Sequence, residues 1–349
     1  MNRLSVVIPA WNEEEAIANV IGRLVDTGPA LEAVAGITDL EVIVVDDGST
    51  DKTRDIVTAV AAAVRDGRAQ VRLLRHSVNR GYGAALQHGL SQARGQLLAF
   101  LDADCTYPPE ELPTLCKALV DDPRAAFVVG NRMGHRASGM PPTRRLGNVF
   151  FAGLVSLLGR RRIADCCSGM RVLRPEALET LGELPDGLDY TPAMTMRALH
   201  KDMTVLEVPI SYHERVGRSK LTVLRDGCRF LGTILHETLA HRPARLWSVV
   251  TPAIALGALG LLSAVVSLLG AGPYLWPGWG LMVFVSTYSL LAGALLACQR
   301  ARARIRPATT TALPGMVSAV AEQMDEKRSA NLDEYVAVGE REPVAARTR

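Results

Sequence analysis

The run Leu97-Leu98-Ala99-Phe100-Leu101-Asp102-Ala103-Asp104 carries an apolar strand straight into two carboxylates two residues apart. In an open α/β sheet, ligands bind beyond the carboxyl ends of the strands, so Asp102 and Asp104 would reach the crevice. Mg²⁺ takes one or two protein carboxylates and completes its octahedron with phosphate oxygens and water, so this pair suits a metal-bound nucleoside diphosphate. An isolated Asp pair is also ordinary turn chemistry, because Asp hydrogen-bonds the local backbone. A second strand ends alike, in Val44-Val45-Asp46-Asp47-Gly48-Ser49-Thr50-Asp51. Asp at such an edge accepts hydrogen bonds from a base or ribose. An Asx turn does not account for two consecutive acids after so apolar a strand.

The basic residues supply the complement. The formal net charge is +3, yet Arg clusters between Arg132 and Arg245 while acids cluster before Asp122, which implies acidic and basic halves of one site. Guanidinium groups grip phosphate oxygens through paired hydrogen bonds, so Arg132, Arg144, Arg145, Arg171, Arg215, Arg218 and Lys220 suit a polyanion. Arg is also common on plain surfaces and beside anionic lipid. Seven histidines show no metal-binding cluster and read mostly as surface or helix residues. Gly81-Tyr82-Gly83 lacks the third glycine of a dinucleotide loop and reads as a tight turn. Six scattered cysteines show no zinc spacing, and adjacent Cys166 and Cys167 do not easily bridge, so reduced thiols in a cytosolic setting are expected.

Elements of a doubly covered α/β sheet must hold these groups. Strand and helix alternate: Leu4 to Pro9, Glu41 to Val45, Val71 to Arg75, Gln96 to Leu101 and Ala126 to Val129 read as strands. Asn12 with Glu15, and Ser49 or Thr50, read as helix caps; Gly83 to Ala93 and Pro109 to Val120 read as helices. The 349 residues are 48% hydrophobic, enough for a large core or a membrane segment. From Leu246 to Gln299 no Asp, Glu, Lys, Arg or His occurs. Roughly 20 apolar residues cross a bilayer, so Val249 to Leu269 and Leu281 to Ala297 read as two spans around a Gly/Pro turn. Arg on both flanks places both ends in the cytoplasm. Val223 to Leu239 has the pattern of an amphipathic helix, lying on the membrane or packing on the domain. The expected organisation is a catalytic domain over 1–222, a juxtamembrane helix over 223–245, two spans over 246–299 and a largely disordered tail over 300–349.

Val6-Val7-Ile8-Pro9-Ala10-Trp11-Asn12-Glu13, Val45-Asp46-Asp47-Gly48-Ser49 and Asp102-Ala103-Asp104 with Pro108-Pro109-Glu110 resemble family 2 glycosyltransferases of GT-A fold. Gly130-Asn131-Arg132, Arg144 to Asn148, Asp165-Cys166-Cys167-Ser168-Gly169 and Gly217-Arg218-Ser219-Lys220 follow the order of the dolichyl- and polyprenyl-phosphate mannosyl- and glucosyltransferases. The resemblance covers Leu4 to Lys220. It implies that Pro9, Trp11, Glu13, Val45, Asp47, Ala103 and Arg132 line the nucleotide-sugar site, with Arg132 on the donor side. Asp102 and Asp104 would hold Mg²⁺ or Mn²⁺ and the diphosphate, while Arg144, Asn148, Arg215 and Lys220 would meet the acceptor phosphate. Many relatives carry a metal-contacting Gln where Thr106 stands. The implied partners are GDP-mannose or UDP-glucose, a polyprenyl phosphate and the membrane, with no nucleic acid; oligomeric state stays open. An ionised phosphate needs no general base, so a single inverting displacement is expected. Two alternatives stay open: a saccharide acceptor, although the Q-x-x-R-W motif of processive synthases is absent, and a non-catalytic membrane scaffold with a nucleotide pocket.

Overall fold

Strand β1 (Arg3–Ala10) is buried from Leu4 onward and lies parallel to both β2 (Asp39–Asp46) and β4 (Leu97–Phe100). Continuous apolar strands of this kind are covered on both faces, and the side-chain period of two divides them between two cores. Leu4, Val6, Ile8, Val42 and Val44 enter one core, while Val7, Ile43 and Val45 enter the other. The computed structural model describes residues 3–64, 67–134, 139–217 and 222–268.

The remaining strands are β3 (Ala69–Arg75), β5 (Ala125–Asn131), β6 (Arg171–Leu173) and β7 (Thr204–Pro209). The seven-stranded sheet runs β3-β2-β1-β4-β6-β5-β7, with β6 antiparallel to both neighbours and the other pairings parallel. Helices α1 (Ile17–Asp26), α2 (Gly28–Ala35), α3 (Thr53–Ala63), α4 (Tyr82–Ser91) and α5 (Leu112–Asp121) follow the first strands. Then come α6 (Pro142–Gly159), α7 (Pro175–Leu181), α8 (Tyr190–His200), α9 (Val223–His241) and α10 (Pro243–Leu268). The alternation expected as far as β5 is present, with small shifts at element ends. Neither expected cap operates: α1 starts after Ala16 and α3 after Lys52, without side-chain cap bonds. Asn12 and Ser49 instead tie two loops together, as described below.

Of the two placements that its amphipathic pattern allows, helix α9 takes the one packed on the domain. Phe230, Ile234 and Leu235 are buried, and the helix packs against α8 and α6. Asp226, Thr233, Glu237 and Thr238 are buried too, with Arg197 of α8 paired to Glu237. The apolar face turned outward belongs to α6, where Leu146, Val149, Phe150 and Leu157 are 72%, 54%, 57% and 56% exposed. The opposite face of that helix buries Asn148, Ala152, Val155 and Leu158. Among the described residues, no helix is long and apolar enough to cross a membrane. The first expected span overlaps α10 as far as Leu268; the second span, 281–297, and the tail lie outside the described residues.

His200, the last residue of α8, is buried and closes the α8–α9 contact, its Nε2 3.3 Å from Thr238 Oγ1. Burial, with the nearby charges of Arg245 and His241, brings its pKa down to about 4. An unfolded histidine titrates near 6.5, so on acidification the unfolded chain takes the proton first. Stability is therefore complete above pH 6.5 and is lost as the pH falls toward 4, by on the order of 3 kcal/mol. Thermal unfolding at pH 7 and pH 4.5 should show this loss, and His200→Gln should flatten the slope.

Candidate active site

The carboxyl ends of β1, β2 and β4 open into one cleft of about 410 Å³. Pro9, Trp11, Glu13, Asp47, Asp102, Ala103, Asp104, Arg132, Arg144, Asn148 and Arg215 all line it, so the acidic and basic halves share one cavity. Val45 does not line it. Its side chain has the parity that points into the core beside α4, where it is fully buried. Lys220 lies outside the described residues, as does Arg218.

Two loops are stapled together on the β1–β2 side. Asn12 sits in the left-handed region at φ 52°, which Asn tolerates better than most residues. Its amide N donates to Ser49 Oγ at 2.9 Å, and its side-chain oxygen accepts from the Thr50 amide at 2.8 Å. Asp47 is held tightly: its carboxylate accepts from the Arg80 and Gly81 amides at 2.9 and 2.8 Å and meets His76 Nδ1 at 2.7 Å. His76 is buried and contacts His88 through its other ring nitrogen at 3.0 Å. Asp47 therefore shapes the 79–81 turn, whose Gly81 has φ 109° and would place a Cβ 2.5 Å from the Asp186 carbonyl oxygen.

Asp102 and Asp104 sit just past β4. Tyr82 Oη donates to Asp102 Oδ1 at 2.8 Å. Burial, reinforced by the charge of Asp104, pushes Asp102 up to about 7. Asp104 Oδ1 accepts from Thr106 Oγ1 at 2.5 Å, so Thr106 braces the carboxylate. Asp104 Oδ2 pairs with Arg215 Nη1 at 2.8 Å, and Arg215 Nη2 reaches Glu13 Oε1 at 2.7 Å. Arg215 thus bridges two acids of the cleft. Among the described residues no group of three or more His, Cys, Asp or Glu side chains could hold a metal ion. Two hard oxygen donors that repel each other nevertheless fit a divalent cation whose remaining ligands are diphosphate and water. The cradle is tight, because a Cβ on Gly169 would lie 2.5 Å from Asp102 Oδ2. Gly169→Ala is expected to displace Asp102 and weaken cation binding by about tenfold or more, as supporting residues around metal ligands do. Mn²⁺ titration followed by paramagnetic resonance checks this.

The arginines divide by partner. Arg132 spends its fork on Asp165, with Nε–Oδ2 and Nη2–Oδ1 both at 2.7 Å, and lies over the rings of Tyr107 and Tyr212. Burial opposes its charge, but Asp165 outweighs this and holds the guanidinium well above its usual value. It is a wall of the cleft with its bidentate face already taken. Arg171, expected to face the polyanion, is fully buried, with Nη2 donating to the Cys166 carbonyl at 2.8 Å. Arg144 lines the cleft and reaches Tyr212 Oη at 3.4 Å. Asn148 Nδ2 donates to the Ala164 carbonyl at 3.1 Å. Tyr107, Tyr212 and Asp165 were not singled out as site residues in the sequence. The Asp165 motif carried the only signal, since aromatic wall positions have no local pattern. Helix α9 also contributes Arg225, Asp226, Arg229 and Phe230 to the lining.

Residues 5–182 match the glycosyl transferase family 2 profile. The chain is 32% identical over 306 residues to the low-salt glycan biosynthesis hexosyltransferase Agl6 of Haloferax volcanii, covering 83% of this chain and 67% of that protein. It is 31% identical over 241 residues to a dolichyl-phosphate hexose transferase of the same organism, covering 68% and 95%. An undecaprenyl-phosphate 4-deoxy-4-formamido-L-arabinose transferase of Photorhabdus laumondii is 27% identical over 303 residues, with 84% and 85% covered. Among solved structures, the fold matches glucosyl-3-phosphoglycerate synthase of Mycobacterium tuberculosis, crystallised with Mn²⁺, UDP-glucose and glycerol 3-phosphate. The TM-score is 0.52 at 22% identity, covering 68% of this chain and 80% of that one. With acid-tipped parallel strands opening on one cleft and a GT-A-like mixed sheet behind them, the chain belongs to glycosyl transferase family 2.

Proposed function

We propose that this glycosyltransferase moves a hexosyl group, mannose or glucose, from GDP-mannose or UDP-glucose to a polyprenyl phosphate at the cytoplasmic face of a membrane, with inversion. The observation that carries the reading is the meeting of Asp102 and Asp104 with Arg144 and Arg215 in one cleft. The relatives named for dolichyl or undecaprenyl phosphate support the lipid acceptor over a saccharide. Mg²⁺ or Mn²⁺ held by Asp102 and Asp104 would supply charge neutralisation at the departing diphosphate.

The chain's own residues do the positioning. Asp47 and the loops joined through Asn12 and Ser49 would seat the nucleoside; Arg144 would hold the acceptor phosphate near the sugar against the repulsion of two polyanions. Arg215, on the donor carboxylates in this structure, would serve the acceptor phosphate with Lys220 once the diphosphate is seated. Asn148 would complete that subsite. A phosphate monoester has its second pKa near 6, so its oxygen is already ionised at pH 7 and attacks the sugar carbon as the bond to the diphosphate breaks.

Membrane attachment through the charge-free segment 246–299 fits the outward apolar residues of α6, and α10 exposes Trp247 and Ile254 beside it. A bilayer is the proposed occupant of that face, because α10 packs on α6 and leads into the apolar segment. Leu146→Glu with Phe150→Glu is expected to cut transfer to a long-chain polyprenyl phosphate about tenfold or more, while a short, water-soluble isoprenyl phosphate reacts as before. Comparing kcat/KM for the two acceptors checks it.

The reading itself is tested by incubating membranes bearing the chain with radiolabelled nucleotide sugars and polyprenyl phosphate. An organic-soluble, acid-labile product is expected. Label confined to water-soluble or polymeric material would overturn the lipid acceptor.

A further inference from the structure

Within the Asp165-Cys166-Cys167-Ser168-Gly169 loop, the structure brings two adjacent thiols together: Cys166 Sγ and Cys167 Sγ are 3.6 Å apart. Cys167 is partly exposed and lines the cleft, whereas Cys166 is buried. We propose that Cys166 and Cys167 form an oxidant-sensitive modification site, closed by peroxide to a reversible vicinal disulfide that disarms the cleft.

The two sulfurs divide the work by access. A hydrogen bond to Cys167, then burial, holds the Cys166 thiol well above its usual pKa, so Cys166 stays protonated while Cys167 meets the solvent side. The thiolate of Cys167 attacks one peroxide oxygen, the O–O bond breaks, and the hydroxide released takes a proton to become water. The sulfenic acid on Cys167 is then attacked by Cys166; the S–S bond forms, the S–O bond breaks, and hydroxyl and thiol proton leave as a second water. Two thiols lose two electrons and one peroxide gains them. The contact places the resolving thiol beside the sulfenic sulfur, and Cys166 gives up its proton as the bond forms.

Reversibility follows from geometry. Disulfides ordinarily join Cα atoms about 4.4–6.8 Å apart, whereas adjacent residues sit about 3.8 Å apart, so this ring is strained and readily reduced. The strain has a defined outlet. The Cys167 amide donates to Asp165 Oδ1 at 3.2 Å, and the Cys166 carbonyl accepts from Arg171 at 2.8 Å. Closing the ring must turn the peptide between them. That turn pulls on Asp165, the partner of Arg132, and on the backbone leading to Gly169 against Asp102. Oxidation would therefore loosen both halves of the cleft without touching a carboxylate.

The test exposes the full-length protein in native membranes to hydrogen peroxide, then maps cysteine peptides by mass and measures transfer before and after dithiothreitol. The peptide carrying Cys166 and Cys167 should lose two hydrogens and transfer should fall tenfold or more, both recovering on reduction. Cys228→Ser, which removes an exposed thiol elsewhere, should leave the response intact. Cys167→Ala should abolish the two-hydrogen loss and protect that variant's own untreated activity. Oxygen adducts without a bridge would overturn the proposal, as would equal inactivation of a variant lacking both thiols. The activity arm rests on the transferase reading and the mass arm does not, so failure of that reading would leave the bridge measurable.

Discussion

Asp102→Asn is expected to lower turnover by about 10² to 10³ while the protein folds normally, because loss of one preorganised charge-stabilising group costs about 3–4 kcal/mol of barrier. The amide keeps the shape beside Gly169 and can still take the hydrogen bond from Tyr82, so packing is preserved and charge alone is removed. The pKa near 7 adds a signature. A buried carboxyl whose folded pKa lies above its unfolded value near 3.9 contributes stability below pH 4 that is lost as the pH rises toward 7. Without divalent cation at pH 8, Asp102→Asn should therefore melt at or above the wild-type temperature. Added Mn²⁺ with nucleoside diphosphate should raise the wild-type melting temperature and leave the variant's unchanged. An inactive variant at least as stable as its parent would mark Asp102 as a residue kept for chemistry against the interest of the fold. Near-normal turnover would remove the metal role assigned to it.

Asp165→Ala should destabilise the domain by about 3–5 kcal/mol, since it strands the buried charge of Arg132 between Tyr107 and Tyr212. Denaturant unfolding of the full chain in detergent, read from the tyrosine-rich wall, measures the loss. Arg132→Met should cost a comparable amount, and the double substitution far less than the sum, because neither charge is then left unpaired. The same cycle separates two views of Arg132. If its guanidinium serves chiefly as a wall, stability and turnover fall together in both single variants. If it serves chiefly as a donor ligand, Arg132→Lys will depress turnover with little change in stability.

The acids were legible because their signal is local. Asp47, Asp102 and Asp104 each follow a run of strand residues, and strand direction alone sends them to the ligand edge of a parallel sheet. The arginines were less so. Arg132, Arg144, Arg171 and Arg215 read alike in the chain, yet one is locked to Asp165, one lines the cleft beside Tyr212, one is sealed in the interior and one bridges Glu13 to Asp104. For helix α9 the pattern leaves two placements open, for the same reason. An amphipathic pattern states that one face is covered, and only packing against α8 and α6 states by what.

Strand parity, acid-tipped strand ends and a charge-free segment from Leu246 to Gln299 are properties of neighbouring residues, and from these came the first five strands, the placing of Asp47, Asp102 and Asp104 at strand ends and the expectation of a membrane anchor, but not β6 or β7. Tertiary structure alone decided which charges are spent and which remain to act. Pairings such as Arg132 with Asp165, 33 residues apart, or Arg215 with Glu13, 202 apart, depend on which side chains the closed fold strips of water together, and no local pattern encodes that.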